Sequence, residues 1–208
     1  MFLLEALRDL RTVGAIAPSG KTLARLMTDP VSTQGPGPVA VLEAGAGTGA
    51  VTRALIPRLP RGSRLDIVEV NPRFAVRLRH LVAHHPSLVG KHAQVEVLQT
   101  PVEHLDGDRQ YDVIVSGLPL TNFAPDQVEK IMARYLDMLY PGGVLTYFAY
   151  LGTRQARALL ASRSEARRHA AVDEVMAAYQ RDYAIDRRTV WPNLPPAHVW
   201  QLQRPHDR

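Results

Sequence analysis

Hydrophobic and polar positions along this chain follow two rhythms, and the switches between them predict its elements. Short apolar runs at 39–43, 65–70, 94–98, 111–116 and 143–149 have the length and branched side chains of buried strands. Between them, apolar residues spaced by three or four predict helices near 49–57, 72–84, 125–139 and 153–178. Strands alternating with helices predict an α/β fold: a parallel sheet covered on both faces and joined by right-handed crossovers. Ahead of this block, Leu3, Leu7 and Leu10, flanked by Phe2, Ala6 and Val13, stand against Glu5, Arg8, Asp9 and Arg11, the stripe of a short amphipathic helix. Behind it, strand-like runs at 183–190 and 199–203 are joined by Trp191-Pro192-Asn193-Leu194-Pro195-Pro196, which predicts a closing hairpin. Residues 1–208 read as a single domain with 1–30 as an N-terminal helical extension, without repeats or a linker.

Composition narrows the class. At 208 residues, 46% hydrophobic and 22% charged, the chain can bury a core, which excludes disordered and fibrous proteins. No stretch approaches the roughly 18 apolar residues of a membrane span, and the run 144–151 is interrupted by Thr146, Tyr147 and Tyr150. The opening Met1-Phe2-Leu3-Leu4-Glu5 lacks the basic region of an export signal, so a cytoplasmic location is expected. Without cysteine there is no disulfide, thiolate zinc site or cysteine nucleophile. The net charge of +5 is uneven: residues 1–150 carry 15 Lys and Arg against 14 Asp and Glu, and residues 151–208 carry 10 against 6. Arg154, Arg157, Arg163, Arg167 and Arg168, opposed by Glu165, suit either a phosphate partner or a solvated helix face.

The most specific chemistry is Glu43-Ala44-Gly45-Ala46-Gly47-Thr48-Gly49, where a strand gives way to a helix. Glycines there permit a tight turn and let a ligand touch backbone. Twenty residues after Gly49, Glu69 ends the second strand, placed to accept hydrogen bonds from two ribose hydroxyls. Gly45, Gly47 and Ala50 also satisfy the dinucleotide fingerprint, so a nicotinamide or flavin cofactor is the competing ligand. Glu43 decides against it, because a carboxylate at the strand end repels a pyrophosphate and attracts the ammonium and sulfonium of S-adenosylmethionine.

In Val41-Leu42-Glu43-Ala44-Gly45-Ala46-Gly47-Thr48-Gly49, Val68-Glu69-Val70-Asn71 and Tyr140-Pro141-Gly142-Gly143, the chain resembles the class I S-adenosylmethionine-dependent methyltransferases. That resemblance spans 39–203 and implies a Rossmann-like, seven-stranded, mostly parallel sheet whose last strand is antiparallel. It implies that Glu43, Gly45, Gly47, Thr48 and Gly49 serve the methionine portion of the cofactor, Glu69 and Val70 the ribose region, and Thr100, Pro101 and Val102 the adenine. Where many relatives place an Asp after the third strand, Thr100 and Pro101 stand here, leaving backbone groups or Glu103 to meet the adenine amino group.

After the fourth strand comes Ser116-Gly117-Leu118-Pro119-Leu120-Thr121-Asn122-Phe123, where a methyltransferase presents its acceptor. Adenine and cytosine amino-methyltransferases resemble this loop but carry Asn or Asp and an aromatic where Ser116 and Leu120 stand. The competing structural reading is that Pro119 and Leu120 turn the chain and plug the core. Taken with Val13-Gly14-Ala15-Ile16-Ala17-Pro18-Ser19 and Trp191-Pro192-Asn193-Leu194-Pro195-Pro196-Ala197-His198-Val199, the loop resembles bacterial phospholipid N-methyltransferases over nearly the whole chain. That family methylates phosphatidylethanolamine stepwise to phosphatidylcholine at the cytoplasmic membrane. The resemblance implies Ser19 near the cofactor carboxylate, Ser116, Gly117 and Leu118 at the cofactor, and the 116–123 loop and 193–197 segment bordering the acceptor.

The expected partner is therefore the phospholipid headgroups of an anionic membrane surface, met peripherally from the cytoplasmic side, with no nucleic acid. The N-terminal stripe fits a helix lying among headgroups, or one packed on the sheet. Five arginines contribute at most about 1 kcal/mol each near such a surface. Asn122, Tyr147, Tyr150 and Tyr179 are the candidate catalytic residues, the tyrosines offering ring faces to an amine that becomes a quaternary cation. His80, His84, His85 and His92 fall in a helix and loop expected to lie far from this pocket, and no metal site is expected. His169 and His198 are candidate proton acceptors, with surface roles weighed above that. The competing functions are an RNA adenine methyltransferase and a non-catalytic membrane-surface protein that keeps the cofactor fold. Neither has as much in its favour: the first lacks the Asn and aromatic in its loop, and the second leaves the intact glycine loop unexplained.

Overall fold

The computed structural model describes residues 18–151, 163–191 and 196–206. The predicted N-terminal stripe, Arg154, Arg157 and residues 192–195 lie outside the described residues. Seven strands form one sheet: β1 Ala40–Ala44, β2 Arg64–Val68, β3 Gln94–Leu98, β4 Tyr111–Ser116, β5 Leu139–Tyr150, β6 Ala184–Val190 and β7 Ala197–Gln203. Their order is β3-β2-β1-β4-β5-β7-β6. The first five pair in parallel, and β7 enters antiparallel between β5 and β6. The chain thus has the seven-stranded, mostly parallel, Rossmann-like α/β fold expected from its sequence, with an antiparallel last strand.

Side-chain alternation along each strand assigns the helices to faces. Val41, Leu65, Ile67, Val113 and Val115 pack with Leu23, Met27 and Val31 of α1 (Pro18–Thr33), Leu55 and Ile56 of α2 (Ala50–Arg58) and Leu78 of α3 (Pro72–Ala83). Leu42, Val68, Ile114, Leu145 and Tyr147 pack instead with Val128, Ile131, Met132 and Tyr135 of α4 (Pro125–Met138) and Val172 and Met176 of α5 (Arg163–Tyr183). Each buried Leu, Ile or Met side chain on these faces contributes roughly 1.5–3 kcal/mol relative to exposure.

Local signals set the helix starts. Asn71 caps α3 by accepting a hydrogen bond from the Arg73 N–H, and Pro72 occupies the first turn, where its missing N–H costs nothing. Pro125 opens α4 in the same way. Helix α1 likewise opens on a proline, Pro18, but carries Pro30 and no first-turn acid, and most of it falls within the stretch 1–30 read as a helical extension. Strand β5 is longer than its apolar run, because Gly142 N–H donates to the Arg204 carbonyl and Arg204 N–H to that of Gly143, which pairs the Pro-Gly-Gly segment with the chain end.

One polar cluster is built into the α4–α5 side. Asp66, in the middle of β2 and 1% exposed, accepts hydrogen bonds from the Tyr111 hydroxyl at 2.8 Å and from Arg109 at 3.0 Å. Burial, followed by the bond to Asp66, raises the Tyr111 pKa, so the phenol remains a donor. Replacing Tyr111 by Phe leaves the carboxylate one donor short. The expected cost is about 1–3 kcal/mol in urea unfolding, and an unchanged midpoint contradicts this role for the hydroxyl.

Candidate active site

The parallel strands deliver their carboxyl ends to one edge of the sheet, the crevice where open α/β sheets take ligands. After β1 the chain makes its turn through Gly45, Gly47 and Gly49, at φ values of 73°, 54° and 81°. These glycines do different work. A side chain on Gly45 would run into Leu118, and one on Gly117 would meet the Gly45 carbonyl, so this pair lets the β1 and β4 loops interlock. Gly47 has open space where its side chain would stand, leaving backbone accessible to a ligand.

Glu69 locks the loop. Its Oε2 accepts the Gly47 N–H at 2.7 Å and its Oε1 the Asn71 N–H at 2.8 Å, joining the glycine turn to the cap of α3. Each carboxylate oxygen retains a further acceptor position, which can take ribose hydroxyls.

Glu43 is 1% exposed at the end of β1. The Thr52 hydroxyl of α2 donates to its Oε2 at 2.7 Å, while its Oε1 is buried without a hydrogen-bond partner. Burial pushes its pKa up to about 7, against the opposing effect of the Thr52 hydrogen bonds and with a smaller push from Glu69. A buried carboxylate with one unpartnered oxygen is a ready acceptor for a cation.

The adenine candidates follow β3. Thr100 is half-buried, Pro101 is exposed, and Val102, 3% exposed, opens a single helical turn against the α4–α5 core. Glu103 accepts a long hydrogen bond, 3.4 Å, from Gln127 of α4. Val70 is half-buried beside Glu69. Ser19 lies in the first turn of α1.

Ser116 is fully buried, and its hydroxyl is 3.0 Å from that of Tyr135 in α4. The Gly117 N–H donates to the Ala44 carbonyl at 2.8 Å, fastening the acceptor loop to the glycine loop. Leu118 is partly buried against the α4–α5 core, and Leu120, 5% exposed, fills it, so the loop both turns the chain and plugs the core. Arg168 of α5 donates to the Asn122 carbonyl at 3.0 Å. One of the five arginines expected to face phosphate therefore braces the acceptor loop, while Arg167 is exposed.

The three tyrosines do not come together. Tyr147, 1% exposed, faces the α4–α5 core, where its hydroxyl accepts from Gln180 at 2.7 Å. Tyr150, three residues on, faces the α1 side and packs edge-to-face on Phe148 at 5.0 Å. Tyr179 stands between α5 and α4, its hydroxyl 3.4 Å from the Glu129 carbonyl and its ring 6.1 Å from that of Tyr183. Burial raises the pKa of all three. His198 pairs with Thr189 at 3.0 Å across the β6–β7 ladder. The expectation that the histidine group lies far from the site is corrected: His80, His84 and His85 line a groove that reaches Thr48 of the glycine loop.

Thr52, Gln180 and Tyr135 were missed from sequence, and Arg168 was read as facing phosphate or solvent and not as a tie to Asn122. Each acts on a residue 9 to 46 positions away through a contact that only the tertiary fold creates.

A glycine turn clamped by one carboxylate, with a second carboxylate buried beneath it at the head of a seven-stranded sheet, defines a methyltransferase of the Rossmann-like class. Residues 42–145, half of the chain, match the family model described as a methyltransferase domain, and the chain belongs to that family. S-adenosylmethionine is its cofactor, and the unpartnered Glu43 oxygen, the open Gly47 and the spare acceptor positions of Glu69 fit it. Among curated proteins, the chain is 28% identical to an ornithine lipid N-methyltransferase of Singulisphaera acidiphila over 144 residues, 69% of this chain and 73% of that protein. It is 30% identical over 110 residues to an alpha N-terminal protein methyltransferase 1 of Drosophila melanogaster, 53% of this chain but 38% of that one. Among solved structures, the N-methyltransferase NodS from Bradyrhizobium japonicum WM9, in complex with S-adenosyl-l-homocysteine, is similar with a TM-score of 0.65. That match is at 19% identity, covering 91% of this chain and 89% of NodS.

The Glu43 pKa makes a signed prediction. The folded protein holds this proton up to about pH 7, whereas the unfolded chain releases it near the ordinary carboxylate value of 4.5. The contribution of protonated Glu43 is therefore complete below about pH 4.5 and disappears as pH rises toward 7. Glu43→Gln should remove that part of the decline, so the stability difference between variant and ligand-free wild type, from urea unfolding, should grow in the variant's favour from pH 4.5 to 7. A difference independent of pH contradicts the raised pKa.

Proposed function

We propose that this chain transfers methyl groups from S-adenosylmethionine to the primary amine of a membrane lipid headgroup, phosphatidylethanolamine, stepwise toward phosphatidylcholine. The observation that carries the reading is the similarity to an ornithine lipid N-methyltransferase, which covers about two thirds of this chain and most of that one. Phosphatidylethanolamine and an ornithine headgroup share an amine on a flexible stem at the bilayer surface. The enzyme works peripherally on the cytoplasmic face of the membrane, and among the described residues no helix is long and apolar enough to cross it.

In this reading Glu43 faces the cationic methionine portion of the cofactor, with Ser19, Gly45, Gly47, Thr48 and Gly49 around it. Glu69 and Val70 hold the ribose, and Thr100, Pro101 and Val102 border the adenine. The bound cofactor supplies an electrophilic methyl on a sulfonium. The loop of Ser116, Gly117, Leu118 and Asn122 orients the amine, braced by Gly117 N–H on Ala44 and by Arg168 on Asn122. An ammonium has no lone pair, so the headgroup must lose a proton before transfer, and entry into a dry pocket beside a cation favours that loss. Positioning of the amine supplies most of the acceleration. The buried Ser116–Tyr135 and Tyr147–Gln180 pairs keep the floor beneath the acceptor loop rigid, which makes Tyr147 a positioning residue in this scheme.

Labelled S-adenosylmethionine offered separately to phosphatidylethanolamine vesicles, ornithine lipid vesicles and structured RNA tests the reading. Label in phosphatidylethanolamine is expected. Label only in ornithine lipid corrects the headgroup, and label only in RNA overturns the lipid assignment. Glu69→Ala should weaken cofactor binding by at least about tenfold, as loss of a charge-assisted pair of hydrogen bonds requires, and unchanged affinity by calorimetry contradicts the ribose role.

A further inference from the structure

A groove of about 530 Å³ lies between Arg53 of α2 and Arg77 and His80 of α3, and is also lined by Thr48, His84 and His85. Two guanidiniums and three imidazoles face it, and none of the lining residues is acidic. Among the described residues, neither Arg53 nor Arg77 forms an ion pair with a carboxylate. Arg53 is fixed by donating to the carbonyls of Thr48 and Gly49, which sets its charge at the groove's inner end. Arg77 and His80 of α3 and His84 at its C-cap follow along one exposed stripe, with His80 and His84 stacked at 4.2 Å.

The donors are also oriented. The Ser87 N–H donates to His85 Nδ1 at 3.2 Å, so the neutral ring carries its proton on Nε2. The His84 Nδ1 is 2.8 Å from the His80 carbonyl and is the donor there. Burial first, then the neighbouring charges of Arg53 and Lys91, hold the His85 pKa below its ordinary value. Lys91 reinforces this from the loop before β3, where it donates to the carbonyls of Ile56, Pro57 and Leu59.

We propose that the α2–α3 groove is a binding site for a phosphate monoester, adjoining the cofactor loop at Thr48 and held by Arg77, Arg53 and the His80, His84 and His85 imidazoles. Guanidinium forks from two helices match the oxygens of a tetrahedral dianion, and imidazoles add further donors, His85 through Nε2–H and His84 through Nε2 in its protonated form. A phosphate monoester, with three terminal oxygens and up to two charges, engages two guanidiniums and the imidazoles together more fully than a single carboxylate. A nucleic acid calls for a longer basic track and base-stacking rings, and the only rings in this lining are imidazoles. The ligand's phosphate belongs either to a soluble ester or to a lipid headgroup, and its chemistry at the groove is the same.

The test follows the imidazole C–H signals by nuclear magnetic resonance while the whole protein is titrated with glycerol 3-phosphate, with sulfate-free buffer as the control. A parallel arm measures co-sedimentation with phosphatidylcholine vesicles with and without phosphatidate. Saturable shifts of the His80, His84 and His85 signals are expected. Arg77→Glu should weaken that binding about tenfold or more, and His84→Gln should weaken it less, while affinity for S-adenosylmethionine is unchanged in both. Phosphatidate-dependent sedimentation lost in Arg77→Glu assigns the phosphate to a lipid; titration by glycerol 3-phosphate alone assigns it to a soluble ester. Absence of saturable shifts, equal binding by the folded variants, or binding only by single-stranded RNA overturns the proposal. Because no methyl transfer is measured, the result stands apart from the lipid methylation reading.

Discussion

A carboxylate buried at the end of the central strand, with one oxygen satisfied and the other bare, is the constraint around which this site is organised. Removing Glu43 from water is unfavourable, and one hydroxyl from Thr52 compensates only in part. The protein therefore keeps a group that prefers to be neutral until a positive ligand arrives. The rest of the edge is arranged to make that ligand fit. Gly45 and Gly117 bring two loops together above the strand ends, Gly47 leaves backbone open, and Glu69 fixes the turn from the neighbouring strand. Sign of charge separates this cradle from a dinucleotide site of similar outline, since a cation favours ionised Glu43 and a pyrophosphate opposes it.

The proposed acceptor side is assembled on the opposite face of the sheet. Ser116 and Tyr147 lie side by side in register on β4 and β5, and each is pinned by a helix residue, Tyr135 from α4 and Gln180 from α5. Arg168 adds a third tie, from α5 to the Asn122 carbonyl. The two helices thus act as a brace for the loop that follows β4. A displacement of about 1 Å in that loop would cost reactivity even with the cofactor cradle intact.

Much of the architecture was readable in the chain because strand and helix periods differ and the glycine loop marks the junction between them. The Glu43 and Glu69 spacing was readable for the same reason: a strand end, a helix and a second strand end fix where two carboxylates emerge. What escaped was set by tertiary pairing. Thr52 carries no sequence mark of its tie to Glu43, and the partners of Ser116 and Tyr147 lie 19 and 33 residues away. The proposed grouping of Tyr147 with Tyr150 overlooked a simple parity. Residues three apart on a strand point to opposite faces, and these two indeed join different cores. The histidines of α3 and the turn after it were set aside because that helix and loop were expected to lie far from the pocket, yet they share a groove with Thr48.

The central claim is that Glu43 is a proton-holding acceptor that ionises when a cationic cofactor binds, and proton counting tests it most directly. Calorimetric titration with S-adenosylmethionine at pH 7, in buffers of different ionisation enthalpy, gives the number of protons exchanged on binding. The account predicts that wild type releases more protons than Glu43→Gln, by roughly half a proton for a group with a pKa near 7 that becomes fully ionised. Equal proton counts in the two proteins would show that the buried carboxylate does not respond to the cofactor's charge.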